Sequence, residues 1–140
     1  MVLFQIAGND LPRLATFYRR VFGWVIDDWS DELGLDYWGI RTGRGTEGID
    51  GVLMPRSARP HMSPDHLHDE HEGYDTSPVG ARAASQVTVA VDDLEEACAR
   101  VVQHGGEVIG RPLHIPHFGS FQDVRDPEGT LLVLGHSTQF

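Results

Sequence analysis

The amino-acid sequence predicts an α+β fold made of two βαβββ modules, and two observations carry that prediction. The first is Val87 to Ile109, which spells strand, helix and strand in succession. The second is that the chain contains the same unit twice. Displaced by 83 residues, Phe4 falls on Val87, Ile6 on Val89 and Asp10-Leu11 on Asp93-Leu94, while Gly23 falls on Gly106 and Val25-Ile26 on Val108-Ile109. The distance from acidic residue to helix-ending glycine is the same in both copies, with no gap. A duplicated half-domain follows.

The elements of the first copy come in order. Val2 to Ile6 is apolar with one polar member, Gln5, and reads as a strand. Asn9 or Asp10 can cap the next helix, and Pro12 sits in its first turn, where a missing N–H costs nothing. Leu11, Leu14, Ala15, Tyr18, Val21 and Phe22 recur at helical spacing and form a buried stripe that ends at Gly23. Trp24 to Trp29 and Asp36 to Thr42 read as strands joined by a turn over Asp31 to Gly34. Gly43 to Gly48 is a glycine-rich turn and Gly51 to Pro55 a short fourth strand. No phosphate-loop lysine or following helix accompanies these glycines, which excludes a nucleotide site.

In the second copy Val87, Val89 and Val91 alternate with smaller or more polar residues. Asp92 or Asp93 can cap the helix, and Glu96 completes a capping-box-like pattern with Asp93. Leu94, Ala97, Cys98, Val101 and Val102 share one face, and Gly105-Gly106 ends the helix. Glu107 opens the next strand; further strands are expected near Arg111 to Ile115, at Ser120 to Arg125 and at Thr130 to Gly135. Asp126-Pro127-Glu128-Gly129 is a tight turn, with proline presetting φ and glycine supplying a positive one. The almost continuous apolar run of the last strand fits a sheet centre.

Residues 56–84 interrupt these patterns. They hold His61, His66, His68 and His71 among Asp65, Asp69, Glu70 and Glu72, with neither strand nor helix periodicity. The expected organisation is one domain over residues 1–140: module one 1–55, a His-rich linker 56–84 and module two 85–138. The linker histidines can hold zinc or nickel only if something makes them rigid.

Composition narrows the function. A net charge of −10, from 21 acidic and 11 basic residues, argues against nucleic acid, whose phosphates need clustered positive charge. It is compatible with a cationic ligand. Every basic residue is arginine, so Schiff-base and lysine-base chemistry have no residue to use. The single Cys98 forms no internal disulfide and reads as a small buried hydrophobe. No apolar run reaches the roughly 20 residues of a membrane span, and MVLFQIAGND lacks signal-peptide character, so a cytoplasmic protein without a membrane partner is expected.

Strand–Asp-Leu–helix–Gly in both copies, with FYRRVFGW in the first and VDDLEEA and DPEGTLLVL in the second, resembles the vicinal oxygen chelate superfamily. This is the glyoxalase / bleomycin resistance / extradiol dioxygenase group. The resemblance spans nearly the whole chain outside the linker. It implies that the two modules pair their sheets into a cup that holds a ligand or metal, and that the protein is a homodimer. The metal-ligand positions of that family's enzymes fall here on Leu3, Gln86, Val133 and the neighbourhood of Val52 to Met54, among which only Gln86 carries a donor, a weak amide oxygen.

The resemblance therefore implies no metal at the usual site and no bound cofactor. It points to metal-independent binding of a small, cationic or aromatic molecule in the cup. The residues expected to line it are Gln5, Gln86 and Thr88 as polar anchors and Trp38, Met54 and Phe121 as apolar walls, with His117 at the mouth as a possible acid or base. Ordinary strand residues and a surface-turn histidine are the competing reading. The alternative function is a lyase, isomerase or dioxygenase that holds one divalent metal ion through Gln5, Gln86 and a histidine from the linker or His117.

Overall fold

Strand pairing divides the molecule into two four-stranded sheets of one plan. The computed structural model describes residues 3–33, 36–43, 48–56 and 86–138. The strands of the first sheet are β1 (Phe4–Gly8), β2 (Val25–Asp28), β3 (Trp38–Arg41) and β4 (Gly51–Pro55), arranged β1-β4-β3-β2. Those of the second are β5 (Thr88–Ala90), β6 (Glu107–Ile115), β7 (Gly119–Arg125) and β8 (Leu131–Ser137), arranged β5-β8-β7-β6. In each sheet the first and last strands run parallel and the others antiparallel. A helix follows the first strand of each module: α1 (Leu11–Phe22) and α3 (Leu94–Gln103). A one-turn helix, α2 (Ser30–Leu33), lies between β2 and β3.

The two long helices begin alike. Asp10 accepts a hydrogen bond from the Arg13 amide at 3.1 Å, and Asp93 accepts one from the Glu96 amide at 3.0 Å. Each satisfies an N–H that the helix itself leaves unpaired. They end differently. Gly23 closes α1 with one bond from its amide to the Arg19 carbonyl, at φ 70°. At α3 the amide of Gly105 reaches Val102 and that of Gly106 reaches Val101, the paired closure of a Schellman motif. The left-handed residue there is Gly105, at φ 96°, one place before the glycine that matches Gly23. Gly106 is required for a separate reason: a Cβ would press on the Arg125 carbonyl and the Val101 side chain.

One hydrophobic core draws on both modules. Ile6, Leu14, Phe17, Tyr18, Ile26, Ile40 and Leu53 of module one join Val89, Val101, Val124, Leu132 and Leu134 of module two. The turn at Asp126 to Gly129 clasps the modules together. Asp126 accepts the Tyr18 hydroxyl at 2.8 Å, and the Glu128 carboxylate accepts the amides of Asn9 and Asp10 at 2.7–3.0 Å. The Arg56 guanidinium donates to the Glu128 carbonyl at 3.0 Å. The turn predicted from DPEG thus has a second use: it covers the start of α1 with negative charge, where the helix dipole is positive.

Two sequence expectations are corrected. Asp31 to Gly34 reads as a turn, yet Ser30–Leu33 form a helical turn, begun by Asp28, which accepts both the amide and the hydroxyl of Ser30. These bonds hold the exposed Asp28 carboxyl below the usual carboxylate range. Two segments at Glu107 and Arg111 are instead one nine-residue strand. Its register shifts between Ile109 and Leu113, with Gly110 at φ 68°. A bulge absorbs the glycine, and Pro112 is tolerated because β6 is the outer strand. Residues 57–85, with His61, His66, His68 and His71, lie outside the described residues.

Candidate ligand site between the two modules

Alternation along each strand decides what faces where. Phe4 and Ile6 of β1 turn toward the helical core, so Leu3, Gln5 and Ala7 take the other face. Val87 and Val89 likewise turn inward, leaving Gln86, Thr88 and Ala90 on the other side. Among the described residues, only one edge of β1 is paired, with β4, and only one edge of β5, with β8. A cavity of about 530 Å³ lies in the seam, walled by Leu3, Phe4, Trp24 and Ile49 of module one and by the run Gln86 to Ala90 of module two. Its wall is largely apolar, with Gln86, Thr88 and Thr42 as the side-chain polar groups. That combination suits a small molecule with an apolar body and a few directed hydrogen bonds.

Trp24, Thr42, Val89 and Ala90 also border a second groove, of about 330 Å³, whose far side carries Asp92, Asp93, Glu96 and Arg100. Glu96 and Arg100 are paired across one helical turn, and Asp93 is engaged as the cap of α3. Trp24 is thus the aromatic member of the boundary between an apolar chamber and a polar one. Its ring stacks on Tyr18 with centroids 5.2 Å apart and planes 3° from parallel, and Phe4 and Phe22 contact it at 5.6 and 5.0 Å.

The residues predicted from sequence are partly gathered here. Gln86 and Thr88 line the seam. Gln5 is exposed on the same face of β1 as Leu3, and Met54 is half-buried on β4, aligned with Ala7. Phe121 is aligned with Leu113 in the β6–β7 hairpin and stacks with Phe118 at 5.7 Å. His117 stands in the hairpin turn at φ 63°. Of the seven, Gln86 and Thr88 line the cavity, whereas Gln5, Met54, His117 and Phe121 do not; Trp38 is aligned with Leu53 and packs against the helical core.

Trp24, Phe4 and Ile49 line the cavity without having been singled out in the sequence. Trp24 had a signal, an aromatic residue directly after the glycine that ends α1; Ile49, exposed beside a glycine-rich turn, had none.

The metal positions implied by the resemblance can be tested against the donors. Leu3 and Gln86 share the seam, Val133 is buried and aligned with Thr88, and Val52 is buried beside Gln5. One amide among hydrocarbons does not make a divalent site. Among the described residues, no three His, Cys, Asp or Glu side chains stand close enough to hold a metal. Cys98 is half-buried, and burial pushes its thiol up, away from the reactive thiolate.

Sheet order, duplicated helices and the seam define a glyoxalase-type fold, and the chain belongs to the Glyoxalase/Bleomycin resistance protein/Dioxygenase superfamily, whose profile matches residues 1–134. Within that group, it is 28% identical over 131 residues to the anthracycline biosynthesis protein DnrV of Streptomyces peucetius, covering 94% of this chain and 44% of that protein. It is 29% identical over 124 residues to the putative glyoxylase CFP32 of Mycobacterium tuberculosis, covering 88% of this chain and 39% of the relative. The chain thus spans less than half the length of these curated relatives. Among solved structures, the genomically encoded fosfomycin resistance protein FosX of Listeria monocytogenes superposes with a TM-score of 0.65 at 13% identity, over 99% of this chain and 93% of that one. No helix among the described residues is long and apolar enough to cross a membrane.

Proposed function

We propose that this chain binds a flat, largely apolar small molecule in the seam between its modules, without a metal ion. The observation that carries the reading is the 530 Å³ cavity itself, which has apolar walls and has Leu3 and Gln86 where metal-dependent members would hold their ligands. Its volume falls in the range typical of small-molecule sites. DnrV belongs to anthracycline biosynthesis, so a polycyclic aromatic is the first ligand class to try.

The experiment is a fluorescence titration with doxorubicin, an anthracycline, with and without a chelator. The expected result is saturable binding, unchanged by chelation and weakened by Thr88→Trp, which fills the seam. Titration with the neutral aglycone then reads how much the acidic groove adds for a cation. Lack of saturation removes the reading. Binding abolished by the chelator, with turnover restored by a divalent ion, replaces it with the metal-dependent enzyme.

The same reading has the protein working as a homodimer. Leu113, Ile115 and Phe118 are exposed on the β6–β7 hairpin, an apolar patch of the kind that partners cover. Sedimentation equilibrium on the titrated sample is expected to give the mass of two chains; the mass of one would remove this part.

A further inference from the structure

Among the described residues, Tyr18 is the one tyrosine wholly enclosed in the core, and its surroundings look designed for its hydroxyl. A phenylalanine would fill the same space. The hydroxyl instead donates to Oδ2 of Asp126, itself buried at 3% exposure, while Oδ1 of Asp126 accepts the amides of Glu128 and Thr130 at 2.9 Å. The carboxylate is therefore fixed by the backbone of its own turn before it meets the tyrosine. A carboxylate held in this way makes a rigid anchor for a ring.

That ring is the floor on which Trp24 lies, in a near-parallel stack. Trp24 is in turn part of the wall common to the seam cavity and the polar groove, with Thr42, Val89 and Ala90. A fixed point on the DPEG turn of module two thus reaches, through one tyrosine, the aromatic wall that module one presents to the seam. Aromatic pairs prefer an offset stack, so a fixed lower ring favours one tilt of the upper one, which Phe4 and Phe22 also contact.

We propose that Tyr18 is a positioning residue for ligand recognition: anchored by Asp126, it sets the angle of Trp24 and so the width of the seam. The inference rests on the seam being the ligand site, but its first readout needs no ligand. Labelled with 5-fluorotryptophan, the protein has three fluorine resonances, from Trp24, Trp29 and Trp38, and Trp24→Phe identifies the first. In Tyr18→Phe the Trp24 resonance is expected to broaden or split while those of Trp29 and Trp38 stay in place.

Asp126→Asn retains an acceptor for the turn amides and a hydrogen-bonding partner for Tyr18, so its Trp24 resonance is expected to remain single. Leu132→Ala, a core change remote from this stack in sequence, serves as the control for general loosening. With doxorubicin as the probe, Tyr18→Phe is expected to bind about tenfold more weakly, an effect the size of one hydrogen bond to a charged group, and Asp126→Asn within about twofold of the parent.

An unchanged Trp24 resonance in Tyr18→Phe overturns the inference. So does a Leu132→Ala protein that disturbs Trp24 to the same extent. If the parent does not bind doxorubicin but its Trp24 resonance responds as described, the positioning holds and only the ligand assignment fails.

Discussion

The two modules share one plan but not one load. At matching positions of α1 and α3, Leu14 stands opposite Ala97, Phe17 opposite Arg100 and Tyr18 opposite Val101. Six residues of α1 are buried, against two of α3. Module one therefore supplies most of the helical contribution to the core, including Phe17, Tyr18 and Phe22, which cluster with Trp24. Module two contributes reach: β6 to β8 span 9, 7 and 7 residues, whereas the strands of module one span four or five. Its hairpin carries exposed apolar surface instead of burying it. The two copies share strand order and helix N-caps, while their side chains diverge into a packing half and a presenting half.

Three perturbations sharpen or break this contrast. The largest effect is expected from Leu14→Ala, which removes a fully buried side chain and should cost about 3 kcal/mol. The matching change in module two, Ala97→Gly, should cost only about 1 kcal/mol through helix propensity. Urea unfolding of both variants measures the difference, and equal losses would mean that the halves carry equal weight.

The second effect is confined to alkaline pH. Burial holds the Tyr18 phenol well above its ordinary pKa, and the Asp126 charge and the hydrogen bond to it push the same way. An unfolded tyrosine ionises near pH 10, so above that point the unfolded chain releases a proton that the folded one keeps. This contribution is complete below about pH 10 and is lost as the pH rises further. Tyr18→Phe should flatten the alkaline fall in stability, whereas Val101→Ala, at the matching position, should leave its slope intact. Parallel slopes in all three proteins would remove Tyr18 as the cause.

The smallest effect tests what the halves still have in common. Asp10→Ala and Asp93→Ala each remove one N-cap and should each cost about 1 kcal/mol. A marked inequality would show that Glu128, which reinforces only α1, alters the value of the cap beneath it.

Most of the fold was legible because its signals are local. Acidic caps, a stripe at helical spacing and glycine stops need only a few neighbouring residues, and Gly51–Pro55 falls where its apolar run and flanking glycine put it. The features that escaped were too short or depended on distant partners. Four residues of α2 cannot display a helical period. Gly110 and Pro112 look like a strand break until the pairing shows a bulge on an outer strand. In the seam cavity, the placement of Gln86 and Thr88 followed from simple alternation. Trp38 did not, because the face it takes depends on its alignment with Leu53, which the segment itself does not encode. Trp24, read from sequence as the first residue of a strand, lies just before β2, so alternation along that strand does not fix its face.

The clasp at Glu128 also has a consequence in time. Its partners, Asn9 and Asp10, lie 119 and 118 residues earlier in the chain. While the polypeptide emerges from the ribosome, the start of α1 has its own Asp10 cap but not this second cover, and Tyr18 has no Asp126 to meet. Contacts of such sequence separation close late, because a long loop must be ordered before they form. The first half of the chain is thus made before the turn that braces it exists, since Asp126 follows Tyr18 by 108 residues.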